Sequence, residues 1–146
     1  MYGTLDLFSG AGGLSLGFSK EDYDIIAGVD VWEDAVETFR YNHSAVGLEY
    51  DIAEEKPEGL PLSKNQVDVV IGGPPCKGFS LAGERDPDDD RNQLVSRFID
   101  YVEYFEPEVA VMENVVGILS MKDGDVIDYI YERYDDIGYN INHKKL

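Results

Sequence analysis

Short apolar runs alternate with segments of helical spacing along this chain, and this order constrains the fold more than any other feature. The spacing predicts strands at residues 2–8, 25–29, 48–50, 67–71 and 109–112, and helices at residues 12–19, 33–42, 94–105 and 126–134. Residues 54–65, which contain two prolines, are predicted as a loop, and residues 141–146 as a further strand. Such alternation is typical of a mostly parallel sheet with helices on both faces, so we expect an α/β fold.

Composition sets the broad class of the protein. The 146 residues suffice for one domain, and 43% hydrophobic residues support a buried core. The single cysteine excludes an internal disulfide, and with only two histidines a metal site is not favoured. No apolar run approaches the roughly 18 residues of a membrane span, and the first residues show no basic region followed by a hydrophobic one. We expect a cytoplasmic protein without a membrane partner.

The net charge of −18, from 30 acidic and 12 basic residues, argues against an extensive phosphate-binding surface. Either nucleic acid is not the substrate, or the basic contacts lie elsewhere. An adaptation of solubility, for instance to high salt, would explain the same charge without reference to a substrate.

Polar and glycine-rich motifs follow the predicted strands, and ligands of parallel sheets collect at the carboxyl ends of the strands. After the first strand comes the turn of residues 9–13 in the run DLFSGAGGL, and Asp30 ends the second strand about 20 residues later. Glycines let a backbone approach a ligand, and an acid at this distance can bind ribose hydroxyls, so the pair favours an adenosine-containing cofactor. Ser15 stands at the last glycine position of a strict G-x-G-x-x-G motif, so a hydride-transfer enzyme is less well supported. Alone, the turn is equally compatible with a simple tight turn.

Cys76 lies in the run GGPPCKGFS, directly after the predicted strand 67–71. A buried cysteine is more often a small hydrophobic residue, but two preceding prolines would hold a thiol at a set position. Glu113 follows four apolar residues, which would leave its carboxyl group partly desolvated, with a raised pKa suited to proton donation. From the sequence alone, an exposed strand-end carboxylate paired with a nearby base is the favoured alternative.

The runs LDLFSGAGGLSLGF, GVDVW, Asp51-Ile52, GGPPCKGFS and MENVVGIL resemble the motifs of the cytosine-C5 DNA methyltransferases in order and spacing. The resemblance extends over essentially the whole chain. It implies a Rossmann-like methyltransferase fold and S-adenosylmethionine as cofactor, with S-adenosylhomocysteine as product. It also implies double-stranded DNA as partner, with the target cytosine flipped out of the duplex.

The resemblance assigns roles to individual positions. Cys76 matches the nucleophile that adds to cytosine C6, and Glu113 matches the acid that contacts N3 and the exocyclic amine. Residues that match substrate-pocket positions are Pro75, Ser80 and Asn114. Residues that match cofactor-binding positions are Phe8, Gly10, Ala11, Gly12, Gly13, Asp30, Val31, Asp51, Ile52, Pro75 and Leu94.

Three departures from the family pattern shape the expectations. Lys77 stands where the family usually has glutamine, and the loop of residues 84–91 is strongly acidic for a segment near DNA. The family's Gln-x-Arg-x-Arg segment, target-recognition domain and closing cofactor motif find no match in residues 1–146. We therefore expect these residues to be the amino-terminal part of a catalytic domain, with an incomplete sheet and no activity alone.

Three functions remain open at this point. The leading one is part of a DNA cytosine-C5 methyltransferase, in restriction-modification or in regulation, completed by a longer chain or by a second polypeptide. A tRNA cytosine-C5 methyltransferase uses the same core motifs. A non-catalytic S-adenosylmethionine-binding subunit of a split enzyme is the third.

Overall fold

The computed structural model describes residues 1–75 and 93–146. In chain order its main elements are β1 (Tyr2–Leu7), α1 (Gly13–Phe18), β2 (Tyr23–Asp30), α2 (Glu33–Asn42), β3 (Val46–Glu49), β4 (Val69–Gly72), α3 (Gln93–Phe105), β5 (Val109–Met112) and α4 (Asp125–Asp136). Single 3-10 segments cover Pro57–Gly59, Lys64–Gln66 and Val116–Gly124.

The five strands form one parallel sheet in the order β3-β2-β1-β4-β5. The chain moves outward from β1 to β3 and then returns to β4 on the other side of β1. Leu7 at the end of β1 lies opposite Val29 and Gly72 of its two neighbours. The strand order therefore reverses at β1 and β4, and such a switch point is where open parallel sheets bind ligands.

Helices cover both faces of the sheet, as predicted. Leu5 and Leu7 of β1 join the main core cluster with Phe98 of α3 and Ile130 of α4. Between them, Asp6 points to the opposite face, because successive strand side chains alternate. There it meets α1, and the neighbouring position in β2, Gly28, lies under the ring of Phe39 of α2.

The apolar face of α3 supplies much of the main core. Phe98, Ile99, Tyr101 and Val102 are completely buried. Each such side chain contributes about 1.5–3 kcal/mol through removal of apolar surface from water. This burial fixes α3 against the sheet beside the candidate site.

Several predicted boundaries differ from the structure. β3 begins and ends earlier than the predicted 48–50. β4 begins later than the predicted 67–71, because a 3-10 turn occupies Lys64–Gln66 and the amide of Val67 still donates to the carbonyl of Lys64. The predicted loop 54–65 contains one whole 3-10 turn and the start of another. The strand predicted at 141–146 is wrong: in the part of the chain that the structure describes, this segment pairs with no strand.

Among the described residues, no helix is long and apolar enough to cross a membrane.

Candidate active site

The glycine turn after β1 has an unusual backbone. Phe8, Gly10 and Gly12 all have positive φ angles, of 59°, 52° and 88°. A Cβ on Gly12 would lie 2.2 Å from Nε2 of His43, whereas nothing lies within 4 Å of a Cβ on Gly10. Asn42 donates to the carbonyl of Ala11 at 3.1 Å. The end of α2 thus holds the turn from one side, while open space lies beside Gly10.

Asp30 connects this turn to the end of β2. Its Oδ2 accepts from Gly10 N at 2.8 Å, and its Oδ1 accepts from Trp32 N at 3.0 Å. Two backbone amides therefore orient the carboxylate, which retains further acceptor positions for ligand hydroxyls. Val31 is 60% exposed beside it, so an apolar surface is available next to the acid.

Asp6 lies beneath the turn and was not predicted as a site residue. It is buried, and its Oδ2 accepts from Ser15 Oγ at 2.6 Å. Burial raises the pKa of Asp6 to about 6, the Ser15 hydrogen bonds oppose this rise, and the charge of Asp30 adds to it. The signal in the sequence was an acid inside an otherwise apolar strand.

A compact loop at residues 51–55 follows β3. The Asp51 carboxylate accepts from Ala53 N at 2.9 Å, and the Asp51 carbonyl accepts from the amides of Glu54 and Glu55. Ile52 is buried in the core cluster. Arg97 of α3 donates to the Ile52 carbonyl at 2.9 Å, a contact that no local motif predicts.

The ends of β4 and β5 are joined by separate contacts. The amide of Glu113 donates to the Gly72 carbonyl at 2.9 Å, and Asn114 Nδ2 donates to the Pro74 carbonyl at 3.1 Å. Pro74 is buried and Pro75 is exposed. The Asn114 side chain also accepts from the amide of Val115 at 2.9 Å. Asn114, the residue after Glu113, thus connects the end of β5 to the end of β4.

The Glu113 side chain is exposed, so the partly desolvated carboxyl group that its apolar neighbours suggest is not found, and the exposed alternative is. Its Oε2 would lie 3.5 Å from a Cβ on Gly73, so the carboxyl group stands over the glycine that precedes Pro74. The exposure follows from the short length of β5 and from its position at the edge of the sheet.

The remaining predicted site residues divide into two groups. Leu94 is half-buried in the first turn of α3, and Ala11 and Gly13 are exposed in the glycine turn. Cys76, Ser80 and the acidic loop 84–91 lie outside the described residues. Within residues 1–75 and 93–146, no group of three or more His, Cys, Asp or Glu side chains is placed to hold a metal ion.

The predicted site residues that the structure describes lie at one end of the sheet, where the strands have their carboxyl ends. One hydrogen bond joins the glycine turn to Asp30, and another joins Pro74 to Asn114. Because all five strands are parallel, both groups lie at the carboxyl ends, on either side of the switch point.

The profile of the family described as C-5 cytosine-specific DNA methylase matches residues 2–146. The chain belongs to this family. A Type II methyltransferase, M.DdeI from Desulfomicrobium norvegicum, is 43% identical over 143 residues, which are 94% of this chain and 34% of the relative. M.HgiGI from Herpetosiphon aurantiacus, also a Type II methyltransferase, is 42% identical over 113 residues, which are 77% of this chain and 89% of that relative.

Solved structures agree with the family assignment. A protein assigned as a DNA modification methyltransferase, encoded within an E. coli prophage, has a TM-score of 0.77 and 32% identity, covering 93% of this chain and 38% of its own. The S. pombe Dnmt2 methyltransferase has a TM-score of 0.68 at 23% identity, covering 90% of this chain and 42% of its own, and shows the shared fold. The chain spans about a third of the first relatives' length, at 34% and 33%.

Proposed function

We propose that this chain supplies the cofactor-binding and nucleophile-bearing part of a DNA cytosine-C5 methyltransferase that uses S-adenosylmethionine. One observation within the family carries the proposal. The glycine turn that is hydrogen-bonded to Asp30 and the exposed Glu113 side chain lie at the same end of one parallel sheet, the carboxyl end of its strands. This arrangement provides a cofactor site and an acid on either side of the switch point.

The described residues fit the cofactor. The space beside Gly10 admits a ligand close to the backbone, and the Asp30 carboxylate has acceptor positions for ribose hydroxyls. Val31 offers an exposed apolar side chain for an adenine face, while Asp51 and Ile52 are proposed for its amine and ring. The further proposed contacts are Phe8, Ala11, Gly12, Gly13, Pro75 and Leu94. When bound, S-adenosylmethionine supplies an electrophilic methyl group and leaves as S-adenosylhomocysteine.

The proposed chemistry begins with the Cys76 thiolate. Its sulfur adds to C6 of cytosine, and the displaced electron pair moves into the ring while Glu113 donates a proton to N3. C5 then carries enough electron density to form a bond to the methyl carbon. Loss of the C5 proton to solvent, expulsion of the thiolate and return of the N3 proton to Glu113 regenerate the aromatic base and the enzyme.

The exposure of Glu113 supports this role, since an acid that contacts N3 must reach an incoming base. Asn114 fixes the adjoining backbone through Pro74, and Pro75 and Ser80 are proposed to line the pocket. The ring atoms of a paired cytosine are inaccessible in a duplex, so the target base in double-stranded DNA has to be flipped out.

We further propose that residues 1–146 are part of a catalytic domain and that additional polypeptide completes it, including target recognition. The chain covers 34% of the Desulfomicrobium relative, and the outer strand β5 exposes Val109 and Val111 by 50% and 37%. Among the described residues β5 has a neighbouring strand on one side only, so its other side presents unpaired backbone groups to which a further strand can bind. The proposed occupant is the polypeptide equivalent to the relatives' unmatched part, in the same chain or in a second one.

A methyl-transfer assay tests the proposal. The chain is combined with a complementing polypeptide taken from the unmatched part of the Desulfomicrobium relative, and radiolabelled methyl transfer to double-stranded DNA and to tRNA is measured. We expect transfer to DNA only in the combined sample, and none after Cys76→Ser. Transfer to tRNA alone would favour the tRNA enzyme. Cofactor binding without transfer to either substrate would favour a non-catalytic subunit, and undiminished activity of Cys76→Ser would exclude this nucleophile.

A further inference from the structure

Arg97 links α3 to the loop that follows β3, across 45 positions of sequence. Its Nε donates to the carbonyl of Ile52 at 2.9 Å, and a terminal nitrogen donates to the carbonyl of Glu55. The guanidinium therefore binds two backbone carbonyls of one loop with a single planar group. A fork of this shape fixes orientation as well as distance.

Within the described residues, the hydrogen bonds that these two carbonyls accept all come from α3. Tyr101, which is completely buried one turn further along α3, also donates to Glu55 O, at 3.1 Å. The amides of the loop turn inward, toward the carboxylate and carbonyl of Asp51. Its carbonyls at Ile52 and Glu55 thus depend on α3, and the direction of the Asp51 side chain depends on the loop.

A second arginine makes a matched comparison possible. Asp100 accepts from Arg97 at 3.1 Å through Oδ2 and from Arg133 of α4 at 3.0 Å through Oδ1. Arg133 otherwise contacts Ser96, Tyr129 and Glu103, and within the described residues it makes no hydrogen bond or ion pair with residues 51–55. Both arginines hold Asp100, but only Arg97 reaches the loop.

We infer that Arg97 is a positioning residue for adenine recognition: it holds the loop 51–55 so that Asp51 and Ile52 present a fixed surface to the cofactor's base. This inference rests on the proposed cofactor site. A purely structural role would be to fasten α3 to this loop. The two roles differ because a fastening residue affects stability alone, whereas a positioning residue affects the discrimination between bases.

Calorimetry with two ligands separates these roles. S-adenosylhomocysteine carries the exocyclic amine, and S-inosylhomocysteine carries a carbonyl oxygen in its place. We expect Arg97→Gln to weaken S-adenosylhomocysteine binding about tenfold and S-inosylhomocysteine binding much less, since the amine contact depends on the loop. Arg97→Lys keeps the charge near Asp100 but loses the fork, so an intermediate affinity is expected.

The control is Arg133→Gln, which breaks the other contact of Asp100. It should lower the melting temperature but leave the affinity ratio of the two ligands within about twofold of the original. A folded Arg97→Gln protein with the original affinity and ratio would overturn the inference while leaving the proposed function intact. If the unaltered chain binds neither ligand, the cofactor site itself is wrong and the inference fails with it.

Discussion

The carboxyl end of the sheet has two halves, one at β1 to β3 and one at β4 and β5, and they differ in how far their polar groups are held by hydrogen bonds. At the ends of β1 to β3, backbone amides orient Asp30 and the loop amides bind Asp51. At the end of β5, Glu113 is exposed, and the valines of the same strand face outward. The first half, the proposed cofactor site, is therefore pre-organised by hydrogen bonds, whereas the Glu113 carboxylate of the second half is open to solvent.

Sequence distance explains much of this difference. The glycine turn, Asp30 and the end of α2 lie within one continuous stretch, so a β-α-β-α unit closes its own contacts. The outer face of β5 belongs to no such unit. We propose that polypeptide from elsewhere covers it, and we expect the acid to be preorganised only then.

The largest expected effect concerns Glu113, the acid at the end of β5. Replacing Glu113 by Gln keeps the shape and removes the proton donor for N3. In the complemented enzyme we expect methyl transfer to DNA to fall about a thousandfold, because both proton donation and charge stabilisation are lost. Steady-state kinetics on a cytosine-containing duplex measure the loss.

Glu108→Gln is the matched control, since Glu108 is exposed just before the same strand. It should retain nearly full activity. Equal affinity of both variants for S-adenosylhomocysteine would show that the two halves act separately. If Glu113→Gln also lost cofactor binding, the division of the carboxyl end of the sheet into two separate halves would be wrong.

The next effect concerns the buried acid beneath the glycine turn. The pKa of Asp6 is raised from 3.8 to about 6, so the folded state binds a proton more tightly than the unfolded state. Its contribution is therefore favourable below pH 3.8 and is lost as the pH rises to about 6 and beyond. Relative to Asp6→Asn, the unfolding free energy should fall by about 3 kcal/mol across this window.

Urea denaturation between pH 3.5 and 7.5, with both proteins measured side by side, tests this expectation. Asp24→Asn, an exposed change in the neighbouring strand β2, should follow the unaltered chain. Parallel curves for the unaltered chain and Asp6→Asn would contradict the assigned pKa.

A third expectation concerns Asp30, the acid that the glycine turn orients. In Asp30→Asn, the side-chain NH₂ group would face one of two backbone amides, Gly10 N or Trp32 N. Two donors would then face each other, and one of the two hydrogen bonds that orient the side chain would be lost. We expect Asp30→Asn to weaken S-adenosylhomocysteine binding ten- to a hundredfold, or about 1.4–2.8 kcal/mol. Calorimetry measures the change, and Asp34→Asn, exposed in the first turn of α2, is the control. Unchanged affinity would remove Asp30 from the cofactor site.

The sequence predicted the features that local rules determine. The parallel sheet, the helices on both faces and the placement of motifs at strand ends follow from periodicity and from the geometry of crossovers, and the structure confirms them. It could not predict the Arg97 contacts, because these depend on tertiary packing across distant segments. The apolar neighbours of Glu113 suggest a partly desolvated carboxyl group, whereas the group is exposed. Periodicity does not reveal that β5 is the outermost strand of the described sheet, and the strand order does.

The smallest expected effect compares two glycines close to the cofactor half. Gly10 has φ of 52°, so Gly10→Ala should destabilise the chain by about 1 kcal/mol although its surroundings are open. Gly17 lies inside α1 with equally open surroundings, and Gly17→Ala should stabilise the chain by about 1 kcal/mol. Thermal denaturation distinguishes the opposite signs. Stabilisation by both substitutions would mean that the turn relaxes freely, and the cofactor half would then be no better formed than the other.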